Sequence, residues 1–226
     1  MFASIAGRYD KGNQVLSLGL HHRWRRATVK EAGAKQGDRV LDCATGTGDL
    51  AFEFQRAVGR EGRVLGIDFC AEMLDVARAK AVEERLATQF EEADALELPQ
   101  ADGSFDIASI AFGIRNVDDP ALGVSEMARV VRPGGSVAVL EFGQPGGAMF
   151  GALYRFYSAH VIPRLGGLVT GERYAYEYFH RTSSEFPCGP AFVALMQNTE
   201  RFSSVRARRL HGGIAYVYVG TVGEPA

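Results

Sequence analysis

The sequence predicts an α/β protein: seven strands in one mostly parallel sheet, helices on both faces, and a helical lid. Three observations predict it. Residues 38–50, D-R-V-L-D-C-A-T-G-T-G-D-L, read as strand, glycine loop and helix, the order in which α/β proteins build a nucleotide cradle. Strand-like and helix-like segments then alternate through Phe142, with crossovers long enough to require parallel pairing. Asp68 closes the next strand-like run 20 residues beyond Gly48, where a carboxylate commonly grips the hydroxyls of a ribose.

The elements follow in order. Residues 1–37 form an N-terminal helical lid: a short piece at Phe2, Ile5 and Tyr9, a second at 13–19, and a helix over 21–34 whose Trp24 is flanked by basic residues. That helix reads either as a solvated face with Trp24 anchored in the core or as an entrance lid touching an apolar substrate or anionic lipid. Strands are expected at 39–43, 63–68, 88–93, 105–111 and 136–142, and helices near 49–58, 71–86 and 120–131. Pro133 and the paired Gly134 and Gly135 mark a turn before the fifth strand. Residues 143–190 are a helical insertion on the substrate side, rich in Tyr and Phe. A helix at 190–198 and an antiparallel hairpin, 202–209 with 213–219, complete the sheet.

A length of 226 residues and 46% hydrophobic content suit one domain over 1–226. A net charge of −2 speaks against a nucleic-acid binder. Cys43, Cys70 and Cys188 form no C-x-x-C pair, so neither a zinc site nor a disulfide is expected, and a reducing cytoplasm fits. No apolar run nears the roughly 20 residues that cross a bilayer. Arg8 and Asp10 come too early for a secretory signal. The expectation is a soluble cytoplasmic protein that at most touches the inner face of a membrane. Nothing in the sequence reports its oligomeric state.

Gly46 and Gly48 let backbone approach a ligand without a Cβ clash, and the following helix begins with free N–H groups. G-T-G-D-L-A at 46–51 is a legal dinucleotide fingerprint, so an NAD enzyme is one reading. Asp42 favours S-adenosylmethionine instead, because a carboxylate repels a pyrophosphate and attracts an ammonium. A bare strand–turn–helix without ligand is the third reading. Asp94, after the third strand, reads either as an adenine acceptor beside the Ala95 N–H or as the cap of a turn. Met73 sits at helical spacing, as core or as one wall of the adenine pocket.

Narrower motifs identify a family. They are F-x-x-I-A-x-R-Y-D-x-x-N at 2–13, S-L-G-L-H-H-R-W at 17–24, L-D-C-A-T-G-T-G-D-L at 41–50 and G-I-D-F-C-A-E-M-L at 66–74. F-G-I-R-N-V at 112–117, R-V-V-R-P-G-G at 129–135, L-E-F-G-Q-P at 140–145, Y-S-x-x-V-I-P-R-L-G at 157–166 and Y-x-Y…S-x-x-F-P at 176–187 complete the set. Together they resemble the C-methyltransferases of ubiquinone and menaquinone biosynthesis, across nearly the whole chain.

The resemblance implies a Rossmann-like class I methyltransferase using S-adenosylmethionine, with no metal. Its contacts fall at Thr47, Asp68, Asp94, Ala95 and Ala111, with Asp42, Gly46, Gly48 and Phe69 completing the cofactor set. Members often carry Ser where this chain has Ala111, which leaves only backbone there. The implied reaction methylates a ring carbon of a demethylated isoprenoid quinol, demethylmenaquinol being preferred. Arg115 and Asn116 are the catalytic candidates: Arg115 to stabilise a phenolate or polarise a water, Asn116 to orient that water. A structural ion pair is the plainer role for Arg115; His22, His160 and Tyr154 are other candidate bases. The alternatives are a different small apolar acceptor, an NAD-dependent reductase, or an inactive cofactor-binding protein. The isoprenoid tail implies peripheral contact with a membrane.

Overall fold

Val40 and Leu41 sit side by side in the first strand, fully buried on opposite faces of the sheet. A parallel strand covered by helices on both sides needs apolar side chains in both directions. The computed structural model describes residues 17, 19–146 and 181–224. Their sheet has seven strands: β1 Arg39–Cys43, β2 Arg63–Asp68, β3 Gln89–Glu92, β4 Phe105–Ala111, β5 Val131–Phe142, β6 Phe202–Leu210 and β7 Ala215–Val222. Their order is β3-β2-β1-β4-β5-β7-β6. The first five pair in parallel, and β7 and β6 close the sheet antiparallel. The chain winds outward from β1 to β3, then returns to lay β4 on the other side of β1. That reversal opens a crevice between the carboxyl ends of β1 and β4.

Helices α1 Leu20–Ala32, α2 Asp49–Val58 and α3 Ala71–Glu84 cover one face. Helices α4 Pro120–Val130 and α5 Pro190–Gln197 cover the other. Asp119 caps α4 by accepting from the Ala121 and Leu122 N–H groups at 3.0 Å, with Pro120 at the first helical position. On α5, Phe192 is fully buried; its ring lies 4.7 Å from that of Tyr218 and 5.5 Å from that of Phe186.

One expectation changes here, and one open choice is settled. The turn at 132–135 is taken up inside β5: Phe105 pairs with Val131 and Ile107 with Ser136, so Arg132, Pro133, Gly134 and Gly135 bulge out between them. Proline can sit in a strand at such a bulge because no ladder N–H is required of it. The described part of the predicted lid, α1, packs into the body. Trp24 is 2% exposed and donates from Nε1 to His211 Nδ1 at 2.8 Å, and Arg25 pairs with Asp49 at 2.9 Å. The expected pieces before Ser17 and the aromatic stretch over 147–180 lie outside the described residues.

Replacing Phe192 with Ala should cost about 3–5 kcal/mol, since it removes a fully buried aromatic ring between α5 and the sheet. Urea unfolding at neutral pH measures the loss.

Candidate active site

Burying a carboxylate is expensive unless its oxygens are bonded. Asp42, in the centre of the sheet at 1% exposure, solves this with two hydroxyls: Thr45 Oγ1 donates to Oδ2 and Ser109 Oγ to Oδ1, each at 2.7 Å. These bonds tie β1 to the glycine loop and to β4. Burial pushes the Asp42 carboxyl up to about 6, against the pull of the two hydroxyls. The loop then turns tightly. Ala44 takes φ 46°, Gly46 φ 56° and Gly48 φ 85°. A Cβ on Gly48 would lie 2.8 Å from Phe52 Cζ, so only glycine fits where the loop enters α2.

At the end of β2, Asp68 Oδ2 accepts from the Gly46 N–H at 2.8 Å and Oδ1 from the Cys70 N–H at 2.9 Å. Burial raises its carboxyl above the ordinary range, with those backbone donors opposing. Each oxygen keeps a lone pair for a further donor. Phe69 beside it is 66% exposed. Asp94 is exposed and accepts from the Leu96 N–H at 2.9 Å, bracing a turn after β3.

These groups surround one cavity of about 250 Å³. Ala44, Gly46, Asp68 and Phe69 form one side, Met73, Asp94 and Ala95 the end, and Ala111, Phe112, Gly113 and Asn116 the other side. Phe112 is a phenylalanine at φ 56°, a conformation costing about 1–2 kcal/mol. Two contacts hold it. Its N–H donates to the Leu140 carbonyl at 2.8 Å, and its carbonyl accepts from Arg115 Nη1 at 2.6 Å. The same Arg115 nitrogen lies 2.8 Å from Glu141 Oε1, in a pair whose side chains are 8% and 1% exposed. Burial raises the Glu141 carboxyl; the Arg115 charge works against that.

Of the residues singled out in the sequence, Gly46, Asp68, Phe69, Asp94, Ala95, Ala111 and Asn116 meet at this cavity. Asp42, Thr47, Gly48 and Arg115 stand behind the lining: Asp42 and Thr47 are buried, Gly48 opens α2, and Arg115 faces Glu141. Sequence reasoning missed Ala44, Phe112 and Glu141. Glu141 had a visible signal, a lone acid ending the apolar run V-A-V-L-E-F; the backbone angles of Ala44 and Phe112 leave none.

The cavity suits an adenosyl group: a carboxylate at the end of β2, an exposed aromatic face and a glycine loop whose backbone is open, since a Cβ on Gly46 would meet nothing within 4 Å. Fold and crevice together define a class I, S-adenosylmethionine-dependent methyltransferase. Residues 1–222 match the ubiE/COQ5 methyltransferase family, and the chain belongs to it. It is 57% identical to a ubiquinone/menaquinone biosynthesis C-methyltransferase, UbiE, of Bdellovibrio bacteriovorus, over 98% of this chain and 94% of the relative. It is 48% identical to a demethylmenaquinone methyltransferase of Deinococcus radiodurans, over 97% and 90% respectively. A solved SAM-dependent methyltransferase of Aquifex aeolicus shares the fold at a TM-score of 0.63 and 19% identity, over 88% of this chain and 89% of that one. Family membership decides against the hydride-transfer reading of the glycine loop.

Asp42 titrates well above its ordinary 3.8 in the folded chain, so its contribution to stability is complete below that pH and is lost as pH rises through about 6. Asp42→Asn should remove about 2–3 kcal/mol of this decline between pH 4 and 6. Chemical denaturation of both proteins across that window reads the difference.

Proposed function

We propose that this protein methylates a ring carbon of a demethylated isoprenoid quinol, with demethylmenaquinol as the preferred acceptor. The cavity at the β1/β4 crevice carries the reading: Asp68 and Asp94 line one side, and Ala111, Phe112 and Val117 line the other together with two polar side chains, Asn116 and Asp118. The family names of the relatives supply the acceptor class.

In this reading Asp68 receives the ribose hydroxyls, Asp94 and the Ala95 N–H receive the adenine edge, and Phe69 covers its face. Ala111 contributes only backbone. Gly46 leaves room at the loop, while Asp42, Thr47 and Gly48 hold that loop in shape. Bound S-adenosylmethionine supplies an electrophilic methyl group. The chain's task is to place the acceptor ring beside it, and good placement alone lowers such a barrier by several of the about 7–11 kcal/mol that orientation can supply. A hydroquinone carbon becomes nucleophilic when a neighbouring hydroxyl loses its proton. Asn116, on the lining, orients the water that takes it. The Arg115 charge, just behind, favours the phenolate.

The acceptor's tail places the work at a membrane surface. Among the described residues no helix is long and apolar enough to cross one. A basic face is present instead. On α1, Arg23, Arg26 and Lys30 point outward, and exposed Arg206, Arg208 and Arg209 of β6 lie alongside. Arg206 and Arg208 both reach Glu31, the sole acid on either strand or helix. Trp24, on the inner side of the same helix, lies 6.1 Å from Phe112 of the pocket wall. Anionic headgroups attract such a cluster within a Debye length.

Labelled methyl transfer tests the chemistry. The chain should methylate demethylmenaquinol faster than its benzoquinol counterpart, and Asp68→Ala should weaken S-adenosylhomocysteine binding about tenfold or more by calorimetry. No transfer to either quinol would reject the reading, and unchanged affinity would reject the role of Asp68. For the surface, flotation with phosphatidylglycerol vesicles should be lost in Arg26→Glu/Arg209→Glu and in high salt. Equal binding to neutral vesicles would refute the basic face.

A further inference from the structure

The mechanism leaves one buried acid unused. Glu141, at the carboxyl end of β5, is 1% exposed. Its Oε1 takes two donors, Arg115 Nη1 and the Phe142 N–H, each at 2.8 Å. Its Oε2 is buried and has no hydrogen-bond partner among the described residues. A buried carboxylate with one idle oxygen is a standing cost to the fold, and well-packed apolar residues commonly replace buried ion pairs without loss. Stability alone is therefore a poor reason for it.

Its geometry suggests a better one. Phe112 keeps its left-handed backbone only because β5 grips it at both ends. Leu140 takes its N–H directly; Glu141 holds its carbonyl through Arg115. Strained residues persist only where their surroundings over-determine them, and they gather at working sites. The grip sets the Phe112 ring 4.3 Å from that of Phe142, and the Asn116 N–H closes the following turn on Gly113 O at 2.9 Å. We propose that Glu141 is a positioning residue for methyl transfer: through Arg115 it holds Phe112 in the conformation that shapes the pocket wall and carries the 114–116 turn, with Asn116, to the cavity. The inference rests on the methyl-transfer reading for its activity arm only.

Trp24 is the sole tryptophan of the chain, and its ring lies 6.1 Å from Phe112 and 6.0 Å from Phe142. Its emission therefore reports on that wall without any turnover. The test compares the full-length chain with Glu141→Gln, Arg115→Met and the double variant. Folded Glu141→Gln should lose about tenfold or more in kcat, keep the KM for S-adenosylmethionine within about twofold, and shift the Trp24 emission. The double variant should be no slower than the slower single, because both changes break one hold. A folded Glu141→Gln with the kcat and emission of the wild type would overturn the proposal, as would losses that multiply in the double. Should Glu141→Gln fail to fold, the double leaves no lone buried charge. Equality of its kcat with that of Arg115→Met then supports the proposal, and a further loss defeats it. A wild-type chain that methylates no quinol rejects the functional reading instead, and the Trp24 arm still decides whether Glu141 sets the wall.

Discussion

A carboxylate that water cannot reach organises this molecule. Asp42 stands in the middle strand of the sheet, and each of its oxygens is held by a hydroxyl from a different segment. One bond bends the glycine loop back over β1, and the other locks β4 beside it. The crevice between those strands exists because the chain reverses direction there. Its width is then set by close backbone contact: a Cβ on Gly113 would lie 2.7 Å from the Cβ of Ala44. Ala44 and Phe112, one on either side, are both non-glycine residues in left-handed conformation. The polar centre, the strained rims and the cavity form a single arrangement.

Most of the architecture is legible in the sequence because its signals are periodic and local. Apolar runs of strand length alternate with helical spacing, and Gly48 and Pro120 mark the starts of helices where the backbone needs them. The hairpin of β6 and β7 is read correctly as a hairpin, with β7 starting at Ala215 after the short turn His211–Gly213 and running on to Val222. The R-P-G-G segment misleads because its residues have the chemistry of a turn, and whether such residues end a strand or bulge from it is settled by the neighbouring strand. Trp24 among arginines permits two readings by composition. Packing chooses the buried one for its ring, and leaves Arg23 and Arg26 outside.

The site is legible to a different degree. Asp68, Asp94 and Gly46, residues whose type and spacing single them out, do line the cavity. Residues that act by shape or by position are not found that way. Arg115 looks from sequence like a group that meets the substrate, yet its guanidinium turns to Glu141 and the Phe112 carbonyl. The pairing spans 26 residues of chain, beyond the reach of any local pattern. Backbone angles such as that of Phe112 arise only once β4 and β5 are side by side.

The two outer strands carry one more consequence. β6 ends the sheet with exposed Arg206, Arg208 and Arg209, whereas β3 ends it with only four residues, two of them exposed glutamates. An unpaired strand edge invites another chain to extend the sheet. Here two copies meeting through the same edge would set arginine against arginine or glutamate against glutamate. Brevity limits what β3 can offer any partner. The like charges at each margin thus oppose two copies joining through the same edge, and against the pairing of unlike edges only the shortness of β3 stands.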